Sequence, residues 1–261
     1  MTIIHRRGPQ TVRRPVLFTN SNLFPDCWTP AVDEAARLHS YSAGNEEAIG
    51  IVVDGEYIRI DNVSRDPENE ACITDKDTIR CLDAQVLFHS HPGGLACPSE
   101  QDMRLQYEMD IPFVIHVPRT NDIFCWGVGT APPPLIGRAF RHGILDCYTV
   151  IRDYYLQHLS IELPHGLPRG WDWWHKGQDI YEANFQDKGF KKVPTSEARA
   201  GDAYMFKFLS PKVMHAAVIT DDQMVLHHTS GSKPYDPSRI SGSESRARLS
   251  RFVEYTLRYD P

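Results

Sequence analysis

No two of the six cysteines in this chain stand as Cys-x-x-Cys; Cys27, Cys72, Cys81, Cys97, Cys125 and Cys147 are dispersed. That scatter fits free thiols in a reducing compartment better than a disulfide framework or a structural zinc knuckle. Also missing is any apolar run near the roughly 20 residues that a membrane-spanning helix needs. No hydrophobic signal core follows the N-terminal arginines, so a chain acting outside a cytoplasm would have to be carried there. Positive charge is in deficit, 28 Lys+Arg against 34 Asp+Glu, and the formal charge of −6 argues against nucleic-acid binding driven by net charge. The one basic concentration, "HRRGPQTVRR", is short and broken by Gly and Pro, so residues 1–24 read as an extended arm. Internal repeats and low-complexity tracts are absent as well, which leaves an ordinary globular composition.

Proline, by contrast, is concentrated at one place. In "GTAPPPLIGR", residues 129–138, three consecutive prolines cannot lie inside a helix or a central strand and make a stiff extended spacer. A joint over residues 131–137 separates 25–130 from 138–261, each near the usual size of a domain. In the first part "TPAVDEAARLHSYSA" predicts a helix capped by Thr29 with Pro30 at its first position. "EAIGIVVD", "YIRIDNV", "AQVLFHSH", "IPFVIHVP" and "IFCWGVG" predict strands, and "SEQDMRLQYEM" a second helix. In the second part a helix over "DCYTVIRDYYLQHL" precedes strands over "DAYMFKF", "VMHAAVIT" and "QMVLHHT". Both parts are therefore expected to be α+β, the second with a helix-borne cysteine on an antiparallel sheet.

The segment "LFHSHPGGLACPSEQD" places His89 and His91 two apart at a strand end, so both side chains leave one face of the sheet. Pro92, Gly93 and Gly94 then turn the chain so that Asp102, in the first turn of the next helix, can approach the imidazoles. Two imidazoles and one carboxylate with an open fourth position is the ligand set of a catalytic zinc site. Ser99 and Asp102 would also form a helix-capping box with no metal at all. Cys97, inside the loop, is either a fourth ligand or a plain loop thiol, and the second is favoured.

"HSHPGGLACPSEQD" resembles the His-x-His-Pro…Ser-x-x-Asp signature of JAMM (MPN+) metallopeptidases, a likeness extending over most of residues 25–130. The resemblance implies Zn2+ held by His89, His91 and Asp102, with Ser99 stabilising a tetrahedral intermediate. It also implies a general base on an earlier strand, where the family's Glu-x-x-Gly pattern falls on Glu47 and Gly50, with Glu46 on the opposite face.

In the second part Cys147 follows Asp146 at a helix start, where a capping carboxylate, unpaired N–H groups and the positive end of the macrodipole are expected to favour thiolate. His215 opens a later strand, and "LHH" puts His227 and His228 on the strand after it. Nucleophile, base and orienting group on separate elements is the plan of a cysteine peptidase. A tight two-residue turn at Asp221-Asp222 would set His228 against His215, whereas a three-residue loop or a bulge would present His227. These segments, within residues 138–261, resemble the NlpC-type papain-like cell-wall peptidases, with Ala217 where glycine is common; the resemblance implies Cys147 as nucleophile, His215 as base and His227, twelve positions on, as third residue. The run Trp171, Trp173 and Trp174 is read as packing of a long loop rather than as a substrate groove.

The order of the two parts resembles the tail-tip peptidase family of long-tailed phages. That likeness implies synthesis in the host cytoplasm, other phage tail-tip proteins as partners, a place at the virion tail tip and delivery to the host cell wall. It further implies cleavage of peptidoglycan stem peptides by the Cys147 part, at the γ-D-glutamyl–diaminopimelate bond. Two other readings stay open: a structural tail-tip component with vestigial sites, and a processing protease for another tail protein.

Overall fold

The computed structural model describes residues 23–208 and 210–261, so nearly all of the expected N-terminal arm lies outside the described residues. Helix α1 (Pro30–Ala43) starts where Thr29 Oγ1 accepts the Val32 N–H at 3.3 Å. Strands β1 (Ile49–Val53) and β2 (Glu56–Ile60) follow, joined by Asp54 and Gly55 at positive φ, the geometry that a two-residue hairpin requires. Helix α2 (Asp75–Arg80) and strand β3 (Val86–Ser90) lead to α3 (Glu100–Met109), and strands β4 (Phe113–Val117) and β5 (Asp122–Trp126) complete the sheet. Its order is β2-β1-β3-β4-β5, with β3 and β4 parallel and the other pairs antiparallel. α1 covers one face, packing Val32 and Ala36 on Val52, Val86, Phe88 and Val114. The other face carries Leu87, Phe113 and Ile115 and receives Ile144 from beyond the proline joint.

The second part opens with β6 (Ala139–Arg141), α4 (Cys147–Tyr154), α5 (Ile180–Asn184) and β7 (Phe190–Val193). It continues through β8 (Ala203–Phe206), β9 (His215–Ile219), β10 (Met224–His227), β11 (Tyr235–Ile240), β12 (Gly242–Ser245), α6 (Arg246–Leu249) and β13 (Val253–Tyr259). The six-stranded antiparallel sheet runs β12-β10-β9-β8-β13-β7, twice the three strands marked in the sequence. The π-helical turn Tyr155–Leu159 extends α4, and Val150, Ile151 and Tyr154 lie on Ala216, Val218 and Leu226 across one sheet face. Among the described residues no helix is long and apolar enough to cross a membrane.

The proline joint is tied down. Prolines have no N–H to give, and the carbonyls of Pro133 and Pro134 accept from Arg138 at 3.0 and 2.9 Å. The same buried guanidinium pairs with Asp153 of α4 at 2.7 Å. A second buried arginine, Arg141, joins the two parts. It donates to the Ala96 carbonyl at 2.7 Å and to Asp122 at 2.9 Å, with its guanidinium carbon 3.9 Å from the Phe124 ring centre and 4.4 Å from that of Tyr235. Two residues on, Gly143 sits at φ 82°, and a Cβ there would come within 2.6 Å of the Met103 sulfur on α3.

Candidate active sites

The first constellation assembles at the end of β3. Ile49 faces His89 in the β1–β3 ladder, so Glu47, two residues before Ile49, falls on the face that His89 and His91 share. His91 extends the parallel pairing with β4 through its N–H to the His116 carbonyl, after which Pro92 and Gly94 turn the chain away. Asp102 returns from the first turn of α3. His89 Nε2 lies 3.1 Å from His91 Nε2 and 3.1 Å from Asp102 Oδ1, and His91 Nε2 is 3.4 Å from Asp102 Oδ2.

The helix-capping box and the convergent cluster are both present. Ser99 Oγ accepts the Asp102 N–H at 3.1 Å, and Asp102 Oδ2 accepts the Ser99 N–H at 2.7 Å, so the cap holds the carboxylate in place. The Ser99 hydroxyl accepts in that bond and keeps its own proton to donate.

The electrostatics follow from three groups crowding one point. Burial opposes charge on His91, but the Asp102 carboxylate and the Leu95 carbonyl outweigh it and hold the imidazole above its ordinary value. Burial would raise Asp102, but the two histidines outweigh it and hold the carboxyl well below the usual carboxylate range. Glu47 is pushed up by burial, with the histidines pulling against it.

His91 Nδ1 reaches the Leu95 carbonyl at 2.9 Å; donation there leaves Nε2 bare and pointed at its two neighbours. Imidazole nitrogens and a carboxylate turned towards one another are a donor set of the kind that a metal cation takes. His89, His91 and Asp102 are the group that could hold one among the described residues, their donor atoms all within 4.8 Å. Cys97 is outside that group: its thiol is almost wholly buried and pushed up to about 12 by that burial, as a loop thiol would be.

The second constellation spreads over α4 and the second sheet. Asp146 caps α4, its side chain accepting from Tyr148 and Thr149 and pairing with the buried Arg169. Cys147 Sγ lies 3.2 Å from the Tyr181 hydroxyl, and the Ala216 N–H also points to the sulfur. The expected thiolate-favouring environment is overturned. Burial pushes the thiol up to about 11 and the Asp146 carboxylate adds to it, against the pull of the Tyr181 and Ala216 donors. Arg169 spends its charge on Asp146, and one helix end does not offset loss of water.

The Thr220 N–H donates to the Met224 carbonyl at 3.1 Å, which leaves a three-residue loop, Asp221 to Gln223, between the two paired segments. Asp221 Oδ1 accepts the N–H groups of Gln223 and Met224 at 2.7 and 2.8 Å, and the ladder pairs Ile219 with Val225 and Ala217 with His227. His227 therefore shares a face with Ala217 and His215, and its Nδ1 is 3.0 Å from His215 Nε2. His228 turns the other way, onto the Phe140 ring and the Arg239 carbonyl. The structure thus brings His215 and His227 together, while the side chain that meets the Cys147 sulfur is Tyr181. His215 opens the strand on which α4 rests, one residue before the amide that meets the sulfur.

Sequence reasoning missed Tyr181, Arg169 and Glu244. Each reaches its partner from a remote segment with no spacing signal. Trp173 and Trp174 are buried and edge-on to each other, and Trp173 both packs on Tyr181 and lines the cavity beside it.

Burial pushes His215 down to about 3, the neighbouring His227 and His228 adding to the effect, and it also lowers His227 and His228 themselves. Folded-state values below the ordinary 6.5 mean that the unfolded chain takes up protons first as the pH falls. The stability these neutral imidazoles contribute is complete above 6.5 and is lost below it, for His215 down to about 3. A histidine that titrates only on unfolding costs ~1.4 kcal/mol per pH unit across that window. Thermal unfolding followed from about pH 7 to about pH 4 is expected to show a falling Tm, with a shallower fall in His215→Gln. An identical slope in that variant would contradict the assignment.

A sheet domain with a convergent His-x-His…Asp cluster, followed by a helix-borne cysteine on an antiparallel sheet with paired histidines, defines a two-domain protein of the JAB-like and NlpC/P60 type. The profile described as "Prokaryotic homologs of the JAB domain" matches residues 10–128, and that of the "NlpC/P60 family" matches residues 124–253. The chain belongs to the family of tail tip assembly protein K. The protein of that name from Escherichia phage lambda is 43% identical over 144 residues, which cover 55% of this chain and 68% of the relative. That from Escherichia phage N15 is 25% identical over 214 residues, 76% of this chain and 84% of the relative. A solved NlpC/P60 family protein from Bacillus cereus aligns at 12% identity with a TM-score of 0.30, over 85% of this chain and 66% of its own, too slight a likeness to build on.

Proposed function

We propose that this chain is a tail-associated peptidase with two hydrolytic centres, one in a domain over residues 25–130 and one in a domain over residues 138–261. The observation that carries the reading is the pairing of His215 with His227 on the sheet that supports α4, whose first residue is Cys147. Cys147 is the nucleophile, His215 the base and His227 the group that orients it. With the thiol pushed up and His215 pushed down, the resting pair is a neutral thiol and a neutral imidazole. The proton therefore leaves sulfur for His215 as the sulfur attacks an amide carbonyl. The C–N bond then breaks, the departing amine takes that proton, and water hydrolyses the thioester to the acid. The substrates are peptidoglycan stem peptides, cut between γ-D-glutamate and diaminopimelate.

His89, His91 and Asp102 would hold zinc, and their donor set and convergence fit it. When bound there, the metal supplies Lewis acidity to a peptide or isopeptide carbonyl. Glu47, on the same face, takes a proton from the attacking water and returns it to the departing amine as the C–N bond breaks, and the Ser99 hydroxyl donates to the developing oxyanion. The partners are other tail-tip proteins, as the names of the relatives suggest. The site of action is the host cell wall, reached from the virion tail tip after assembly in the host cytoplasm.

Purified sacculi digested by the chain are expected to release fragments with a new diaminopimelate amine, identified by mass spectrometry. His227→Ala should slow that release by about 10- to 1,000-fold, whereas His228→Ala should not touch the chemistry. Absence of fragment release from correctly folded protein would leave a structural tail component instead.

A further inference from the structure

His227 is held on both sides. Its Nδ1 faces His215 Nε2 at 3.0 Å, and its Nε2 faces Glu244 Oε2 at 3.4 Å. Glu244 belongs to β12, on the far side of β10 from His215. The β10–β12 ladder sets Val225 against Glu244 and His227 against Gly242, so Glu244 and His227 share a face one step apart along it. The carboxylate is anchored in turn by Arg248 of α6, which meets Glu244 Oε1 at 3.0 Å. The row Arg248, Glu244, His227, His215 thus crosses from α6 through three neighbouring strands.

Donor and acceptor rules leave one arrangement of protons for that row when both rings are neutral. An ionised carboxylate only accepts, so the proton of His227 sits on Nε2 and its Nδ1 carries a lone pair. His215 Nε2 faces that lone pair and must be the donor, and the neutral His215 ring then has no proton on Nδ1. Without Glu244 the His227 proton can sit on either nitrogen. In half of those arrangements His215 is forced to bear its proton on Nδ1, the wrong nitrogen for a base whose Nε2 is already engaged.

We infer that Glu244 is a positioning residue that acts through His227 to fix the tautomer of His215, leaving Nδ1 as the basic nitrogen. This rests on the reading of Cys147 and His215 as nucleophile and base. Glu244 touches neither substrate nor sulfur. Its place on β12, an edge strand, and its partial exposure make its replacement compatible with the fold.

The test uses the full chain with 15N-labelled histidine. Long-range 1H–15N correlations of the wild type should show His215 and His227 both protonated on Nε2. Glu244→Ala should give His227 a mixed tautomer and spread the His215 signals, and should lower kcat for stem-peptide release by about 3- to 30-fold with KM unchanged. Glu244→Gln can still accept the Nε2 proton through its amide oxygen, so both the tautomer and most of the rate should return. Unchanged tautomers and rate in Glu244→Ala would overturn the inference. So would a rate loss in both variants with the histidine signals unaltered, which would assign Glu244 a purely structural part. If Cys147→Ala retains wild-type cleavage, the peptidase reading itself is wrong, an outcome distinct from either.

Discussion

Cys147→Ala is expected to lower stem-peptide release by about 10,000-fold or more, the scale seen when a nucleophile is removed from a triad. Thiol alkylation should do the same more slowly, because a thiol pushed up to about 11 is almost all protonated near neutral pH. A zinc chelator should leave the rate within about twofold, since the proposed attacking atom is sulfur and His89, His91 and Asp102 belong to the other domain. The measurement is fragment release from sacculi with each treatment in parallel. Loss of cleavage on chelation with survival of alkylation would move the chemistry to the domain of His89, His91 and Asp102.

The full chain is expected to take up about one zinc, as a three-ligand open site does, and His91→Ala should abolish that uptake. The loss should exceed the ~10- to 100-fold that changes in supporting residues typically cost. Asp102 needs two variants because it has two jobs. Asp102→Ala removes a proposed ligand and the reciprocal half of the box at the start of α3, the bond from the Ser99 N–H, while the Ser99 hydroxyl keeps its bond to the N–H of residue 102; the lost bond contributes ~1 kcal/mol. Asp102→Asn keeps an acceptor for the Ser99 N–H and loses the charge, so it should fold like wild type and still bind little zinc. Zinc content after dialysis, read beside thermal unfolding, separates the two effects. Wild-type chain that stays metal-free when zinc is supplied would remove the metallopeptidase centre from the proposal.

Much of both sites could be read from local spacing. His89 and His91 at i and i+2, with Asp102 one loop later, need only a strand, a turn and a helix start to meet, and each was legible in the residues themselves. The place of His227 was legible only as a choice between two turn lengths. What decides it is Asp221, whose carboxylate accepts two consecutive amides and so makes a three-residue loop out of a sequence equally suited to two. Glu244 and Tyr181 could not be read at all, because β12 and α5 reach the site through sheet order and loop packing. The thiolate expectation failed for a related reason. A helix start is visible in sequence, whereas the burial of that start and the diversion of Arg169 to Asp146 are properties of the assembled chain.

Arg141 has a consequence for inheritance. Its guanidinium is buried between parts of the chain on either side of the proline joint, and it grips the loop that leads from His91 to Asp102 through the Ala96 carbonyl. A genetic crossover at the prolines that brought in an unrelated upstream half would leave this cation facing a surface shaped for something else, stripped of water and without Asp122. The two halves look like interchangeable modules in sequence, yet an exchange that did not supply a carbonyl, a carboxylate and an aromatic ring in the same places would cost stability at this arginine.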